Sequence, residues 1–264
     1  MRSSLFDTGS AAIEAIKGRK RADIFILFPE GRVSPVQQRQ MTTVDADNVH
    51  ALAVEGTFDD CQDLVKAMFA DADFRGEVGL SAVNSINWAR IMAQIVYYFW
   101  ASLRLGGPDR EIDFCVPTGN FGNVFAGYAA KQMGLPIGRL MVGSNRNDIL
   151  TRFFDSDDMS IQGVEPSLSP SMDIQISSNF ERYLFDLMDR SGSATAKTMT
   201  DFRATGRMNV GQGGWEKAKA EFHAFSLNDP KCLDAMRKWH SATGEVLDPH
   251  TVIGVEHAAQ FGRP

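Results

Sequence analysis

The stretch Asp113-Phe-Cys-Val-Pro-Thr-Gly-Asn-Phe-Gly-Asn-Val-Phe-Ala-Gly127 decides the fold class. Phe114, Cys115 and Val116 form a short apolar run that suits a buried strand, closed by Pro117 and Thr118. The next five residues, Gly119-Asn120-Phe121-Gly122-Asn123, hold two glycines and two asparagines. Glycine and asparagine tolerate φ > 0, and the peptide N–H groups of such a turn can converge on an anion. An alanine-rich segment follows over 124–133 and reads as a helix ended by Gly134 and Pro136. Its N-terminus would direct dipole and free N–H groups at the same anion. Physical reasoning therefore predicts a phosphate cradle. A strand–helix turn whose glycines serve only tightness reads the same from this stretch alone.

Outward from this unit, 140–142 is a second apolar strand, which makes a βαβ arrangement with a parallel sheet. Towards the N-terminus, 9–17 reads as a helix stopped by Gly18, with Asp7, Thr8 and Ser10 as candidate cap oxygens. Segments 23–28 and 50–54 read as strands, 35–41 as a short helix, and 57–69 as a helix with Phe58, Cys61, Leu64, Val65 and Met68 at helical spacing. The most apolar stretch, 91–105, is interrupted by Gln94 and Arg104 and is too short to span a bilayer. It reads as a buried helix over 87–105 that turns Ile91, Ile95, Tyr98 and Phe99 inward. After residue 154 the alternation stops; 179–190, 215–222 and 228–244 read as helices.

The composition is that of an ordinary globular protein: 264 residues, 44% hydrophobic and 23% charged. A formal charge of −6 argues against a general nucleic-acid or polybasic membrane binder. A phosphorylated ligand would need local arginines and backbone N–H groups. Cys61, Cys115 and Cys232 fit no zinc spacing and no disulfide framework, and read as free thiols. The histidines show no metal-binding pattern, so no metal site is expected. No apolar leader follows Met1, and a cytoplasmic location is expected.

Several blocks, taken together and in order, resemble the threonine synthase family of fold-type II pyridoxal-phosphate enzymes. They are residues 7–16 beginning Asp7-Thr8-Gly9-Ser10, residues 28–43, Asn84-Ser-Ile-Asn-Trp-Ala-Arg90, the Pro117–Asn123 loop, Ser169-Pro-Ser-Met-Asp-Ile174 with Ser178-Asn-Phe-Glu-Arg182, and Leu247-Asp-Pro-His-Thr251. The resemblance implies a mostly parallel open sheet flanked by helices, with a helical C-terminal third. It divides the chain into a smaller α/β substrate-side part over 1–83, an α/β segment with the cofactor-phosphate loop over 84–154, and a mainly helical, family-specific segment over 155–264. It implies conversion of O-phospho-L-homoserine and water to L-threonine and phosphate, with pyridoxal 5'-phosphate as cofactor.

The resemblance also assigns residues. Gly119, Asn120, Phe121, Gly122 and Asn123 match the loop that holds the cofactor's phosphate. Asp7, Thr8, Gly9 and Ser10 match the end of a loop that holds the substrate's carboxylate or phosphate. Asn84, Ser85, Asn87 and Arg90 match a further substrate-binding stretch, in which Arg90 could pair bidentately with a phosphate. Arg146 and Asn147 follow the strand 140–142, where α/β sheets bind ligands. His250 reads as a turn and cap element. The blocks at 169–174 and 179–182 carry the resemblance without any chemistry legible in them.

Two departures bear on activity. Leu5 and Phe6 stand where the family has Ser-Gly before Asp-Thr-Gly, which puts substrate binding at that loop in question. In the family the Schiff-base lysine lies upstream of that loop, and none of the nine lysines here stands in its motif. The resemblance thus describes a chain truncated at both ends, with no catalytic residue of its own and expected to be inactive alone. The alternatives are a non-catalytic remnant that binds phosphate or cofactor weakly, and another fold-type II lyase.

Overall fold

The computed structural model describes residues 8–33, 35–56, 58–83 and 87–262. They fall into two compact units divided at residue 84. The N-terminal unit comprises α1 (Thr8–Ile16), β1 (Ile24–Pro29), α2 (Pro35–Thr42), β2 (Val49–Val54), α3 (Phe58–Ala70) and α4 (Ala72–Val78). β1 and β2 pair in parallel, from Ile24 with Val49 to Pro29 with Val54. Ala12, Ile13, Ile24, Phe28 and Cys61 are buried in this unit. Asn48 fastens the turn after α1: its Nδ2 donates to the carbonyls of Ile16, Arg19 and Ala22, and its Oδ1 accepts from Gly18 N.

The C-terminal unit begins with α5 (Trp88–Arg104), β3 (Ile112–Pro117), α6 (Gly122–Gln132), β4 (Ile137–Ser144), α7 (Ile149–Ser156) and β5 (Met159–Ser160). It continues with a 3₁₀ turn (Pro170–Met172), α8 (Phe180–Leu187), α9 (Gly192–Thr205), β6 (Arg207–Met208), α10 (Gly211–Glu221), β7 (Phe222–Ser226), α11 (Asp229–Thr243) and α12 (Pro249–Phe261). β3, β4 and β7 form a parallel sheet in that order. Val116 pairs with Val142, and Leu140 with Phe222.

Side chains alternate across β4, so the sheet is buried on both faces, as a parallel sheet must be. Leu140 and Val142 join the core that includes Ile91, Ile95 and Tyr98 of α5 and Val124 and Ala126 of α6. On the other side Ile253 of α12 approaches Gly143, where a Cβ would meet Ile253 Cγ2 at 3.0 Å. α5 follows its predicted pattern, with Ile91, Ile95 and Tyr98 buried.

The pattern of 155–264 predicts helices only, and here the structure differs. β7 enters the main sheet directly from the end of α10. Phe222 and Ala224 are its buried positions. α4, α7 and α9 are likewise helices that the apolar spacing did not announce. The sequence 155–159 reads as a polar break; in the structure α7 runs to Ser156 and stops at Asp157, in left-handed conformation (φ 58°).

Candidate functional site

The Gly119–Asn123 loop joins the carboxyl end of β3 to the first turn of α6. This is the edge of a parallel sheet at which α/β proteins bind ligands. The loop's carbonyls are held by the protein itself. Gly119 O accepts from Ser177 Oγ at 2.6 Å, and Asn120 O accepts from Asn179 N at 3.0 Å and Asn179 Nδ2 at 3.1 Å. Phe121 O accepts from Phe125 N at 2.9 Å. The first amides of α6 have no carbonyl within the helix to bind. Peptide N–H groups at the end of a helix dipole, with the neighbouring carbonyls occupied elsewhere, are an anion site in their chemistry.

Phe121 has a role that its place in a loop did not suggest. Its backbone is left-handed (φ 62°), a costly conformation for a non-glycine residue. Its ring is 1% exposed and packs among Phe154, Phe180, Tyr183 and Phe222, with centroids 5.3–6.3 Å away. Burial of the aromatic ring offsets the backbone strain and pins the turn. Gly119 is required by close approach, because a Cβ would meet Ser171 O at 2.5 Å and Met172 Cα at 3.2 Å.

Tyr98 supports the other end of the loop. Its hydroxyl lies 2.7 Å from Asn123 Oδ1 and 2.9 Å from Asn123 O, and burial raises its pKa. The hydroxyl stays a neutral donor. Gly127 makes this approach feasible, since a Cβ there would sit 2.6 Å from Tyr98 Cε1. Arg90, two turns before Tyr98 on α5, is half-buried, and desolvation lowers its guanidinium pKa without removing its charge. Asn87 caps α5, its Oδ1 accepting from Ala89 N at 2.9 Å. The helix start thus gives it a structural duty.

The blocks at 169–174 and 179–182, which had no legible chemistry, now have one. Asp173 Oδ1 accepts from Asn145 Nδ2, Asn147 Nδ2 and Ser167 Oγ at 2.6–2.9 Å, and its Oδ2 accepts from Ser167 N. Asn145 Nδ2 also reaches Ser169. This buried knot ties the loop before α8 to the end of β4, and the loop in turn covers Gly119. Asn147 therefore belongs to the scaffold. Arg146 pairs with Glu165 at 3.2 Å and Asp229 at 3.6 Å.

Of the remaining predicted residues, Gly9 lies in the first turn of α1, where a Cβ would meet Met41 Sδ at 3.2 Å. Thr8 and Ser10 share that turn. Asp7, Asn84 and Ser85 lie outside the described residues. His250 is buried, as a cap element: its N–H donates to Asp248 Oδ1, the N-cap of α12. Burial holds its pKa below the usual value. Sequence reasoning missed Tyr98, Asn145, Asp173 and Ser177 as supports of the loop. The only signal was the Ser/Asn/Asp density of 167–179, which looks like an ordinary polar loop.

The fold and loop define a class, and residues 7–209 match the family of pyridoxal-phosphate dependent enzymes. The chain belongs to that family. Within it, the chain is 53% identical over 257 residues to threonine synthase of Pseudomonas aeruginosa, an alignment that takes in 97% of this chain and 55% of that one. The crystal structure of PLP-bound threonine synthase from Brucella melitensis superposes with a TM-score of 0.88 at 52% identity, over 98% of this chain and 56% of that chain. Threonine synthase from yeast superposes with a TM-score of 0.84 at 41% identity, over 96% and 53%. The chain thus spans about half the length of the curated relatives it matches. Among the described residues, no helix is long and apolar enough to cross a membrane.

Proposed function

We propose that this chain carries the cofactor-phosphate half of a threonine synthase, which converts O-phospho-L-homoserine and water to L-threonine and phosphate in the cytoplasm. The observation that carries the reading is the Gly119–Asn123 loop, whose carbonyls are held by protein donors while the first amides of α6 have no helical carbonyl to bind. That donor set fits a phosphate, and the relatives of similar sequence and fold are named threonine synthases. When bound, pyridoxal phosphate would supply the electron sink for proton removal at the amino-bearing carbon.

The chain's own part is binding and orientation. The amides of Gly119–Asn123 hold the cofactor's phosphate by hydrogen bonds and the dipole of α6. Arg90, charged and half desolvated, holds a second phosphate, that of the substrate. Thr8, Gly9 and Ser10, in the first turn of α1, are assigned to the substrate's anionic groups by the resemblance. Asp7, Asn84, Ser85 and Asn87 belong to the same substrate-binding proposal.

A second reading takes the loop as a binding site without chemistry. On that reading the chain binds phosphate or cofactor without turnover. Purified protein incubated with pyridoxal phosphate and O-phospho-L-homoserine separates the two. Threonine and phosphate in equal amounts support the synthase. Saturable cofactor binding without product supports the non-catalytic reading. Phosphate released together with a keto acid marks a different lyase.

A further inference from the structure

Asn179 stands at the N-cap of α8, a place where asparagine ordinarily accepts from its own helix's amides. Here its side chain makes no such cap bond. It crosses instead to the cradle, where Nδ2 and the backbone N both donate to Asn120 O. Asn179 is 0% exposed, so the orientation of its amide matters energetically. That orientation has a physical cause. Asn179 Oδ1 accepts from Arg182 Nε at 3.1 Å, and a guanidinium can only donate. A flipped amide would bring Nδ2 against Nε and oxygen against oxygen at Asn120. Arg182 is itself placed by the Trp88 ring of α5, with Cζ 5.7 Å from the ring centroid.

We propose that Asn179 and Arg182 are positioning residues for phosphate binding: Asn179 holds the Asn120 carbonyl turned away from the anion, and Arg182 locks the Asn179 amide in the donating orientation. This rests on the reading of Gly119–Asn123 as the phosphate cradle. With Nδ2 gone, only the Asn179 N bond holds the Asn120 carbonyl, and the peptide rotates more readily to place a carbonyl where an N–H should stand. That exchanges attraction for repulsion at an anion. Arg182 acts through Asn179, so its effect disappears once Asn179 is gone.

The test is a ³¹P NMR titration of the full chain with inorganic phosphate and with pyridoxal phosphate, alongside Gly122→Trp, Asn179→Ala, Arg182→Met and the double variant. Binding by the wild type that Gly122→Trp removes upholds the cradle. Absence of binding, or binding that Gly122→Trp leaves intact, overturns the cradle reading and the inference with it. With the cradle upheld, Asn179→Ala should weaken phosphate binding roughly tenfold and move the bound ³¹P shift. Arg182→Met should do the same to a smaller degree, and the double variant should be no worse than Asn179→Ala. Wild-type affinity and shift in both single variants overturn the inference, as does an additive loss in the double variant. Should Asn179→Ala fail to fold, Arg182→Met decides alone, since methionine keeps an unbranched stem and removes the guanidinium that bonds Asn179 Oδ1 and lies over Trp88.

Discussion

Gly127 shows how one residue reverses a general rule. Glycine inside a helix is ordinarily worse than alanine by about 1 kcal/mol. At this position an added Cβ would sit 2.6 Å from Tyr98 Cε1 and 2.9 Å from Leu140 Cδ2, both in the core. Gly127→Ala should therefore destabilise the protein by about 1–3 kcal/mol, read from urea unfolding, through overpacking. Equal or greater stability would show that Tyr98 has room to move. His257 gives a second prediction at this scale. It is 0% exposed, its Nε2 lies 2.8 Å from His223 Nδ1, and it packs on Phe225 and Phe261. Burial and then the neighbouring His223 push its pKa down to about 4. An unfolded histidine titrates near 6.5, so between about pH 6.5 and 4 the unfolded chain takes up a proton that the folded chain refuses. Its contribution is fully present above that window and falls as pH falls through it. Urea midpoints at about pH 7 and 5 should differ more for the wild type than for His257→Phe. Equal differences would contradict the shift. The turn itself, as a strand-to-helix junction, was legible at residue level from Gly119 to Asn123. Its supports were not, because Tyr98, Asn145, Asp173 and Ser177 come from segments distant in sequence, and only folding brings them together.

The element that most needs explanation is the irregular segment between β5 and α8. It contains little regular structure, yet it covers Gly119 and supplies the cradle's carbonyl partners. Its order comes from Asp173, one carboxylate accepting from two asparagines and a serine. Asp173→Asn would set an amide N–H₂ against those donors and leave buried groups unpaired. It should cost about 2 kcal/mol of stability and speed proteolysis within residues 161–178. Unchanged stability and cleavage would show that the knot is incidental. Helices and strands were legible where period and caps agreed: α5, with its Asn87 cap and inward Ile91, Ile95 and Tyr98, emerged within a residue of expectation. β7 was hidden because Phe222-His-Ala-Phe-Ser226 is short and continues without a break from α10. α9 was hidden because Gly192–Thr205 buries only Thr195 and Phe202, too few to set a helical period.

At the scale of the molecule, the chain divides into two units, each with its own parallel strands, and the Gly119–Asn123 loop proposed as the phosphate cradle belongs wholly to the second. The class was legible because six ordered blocks specify it together, although each alone is ambiguous. A net charge of −6 repels anions at long range, so the proposed phosphate binding would draw its affinity from local amides and arginines. The central claim is that the amides of Gly119–Asn123 bind the cofactor's phosphate. The most direct test is a crystal structure of this chain grown with pyridoxal phosphate. The account predicts phosphate density at the N-terminus of α6, about 3 Å from those amide nitrogens, with Asn120 O still bonded to Asn179. Cofactor density elsewhere, with that turn empty, would contradict it.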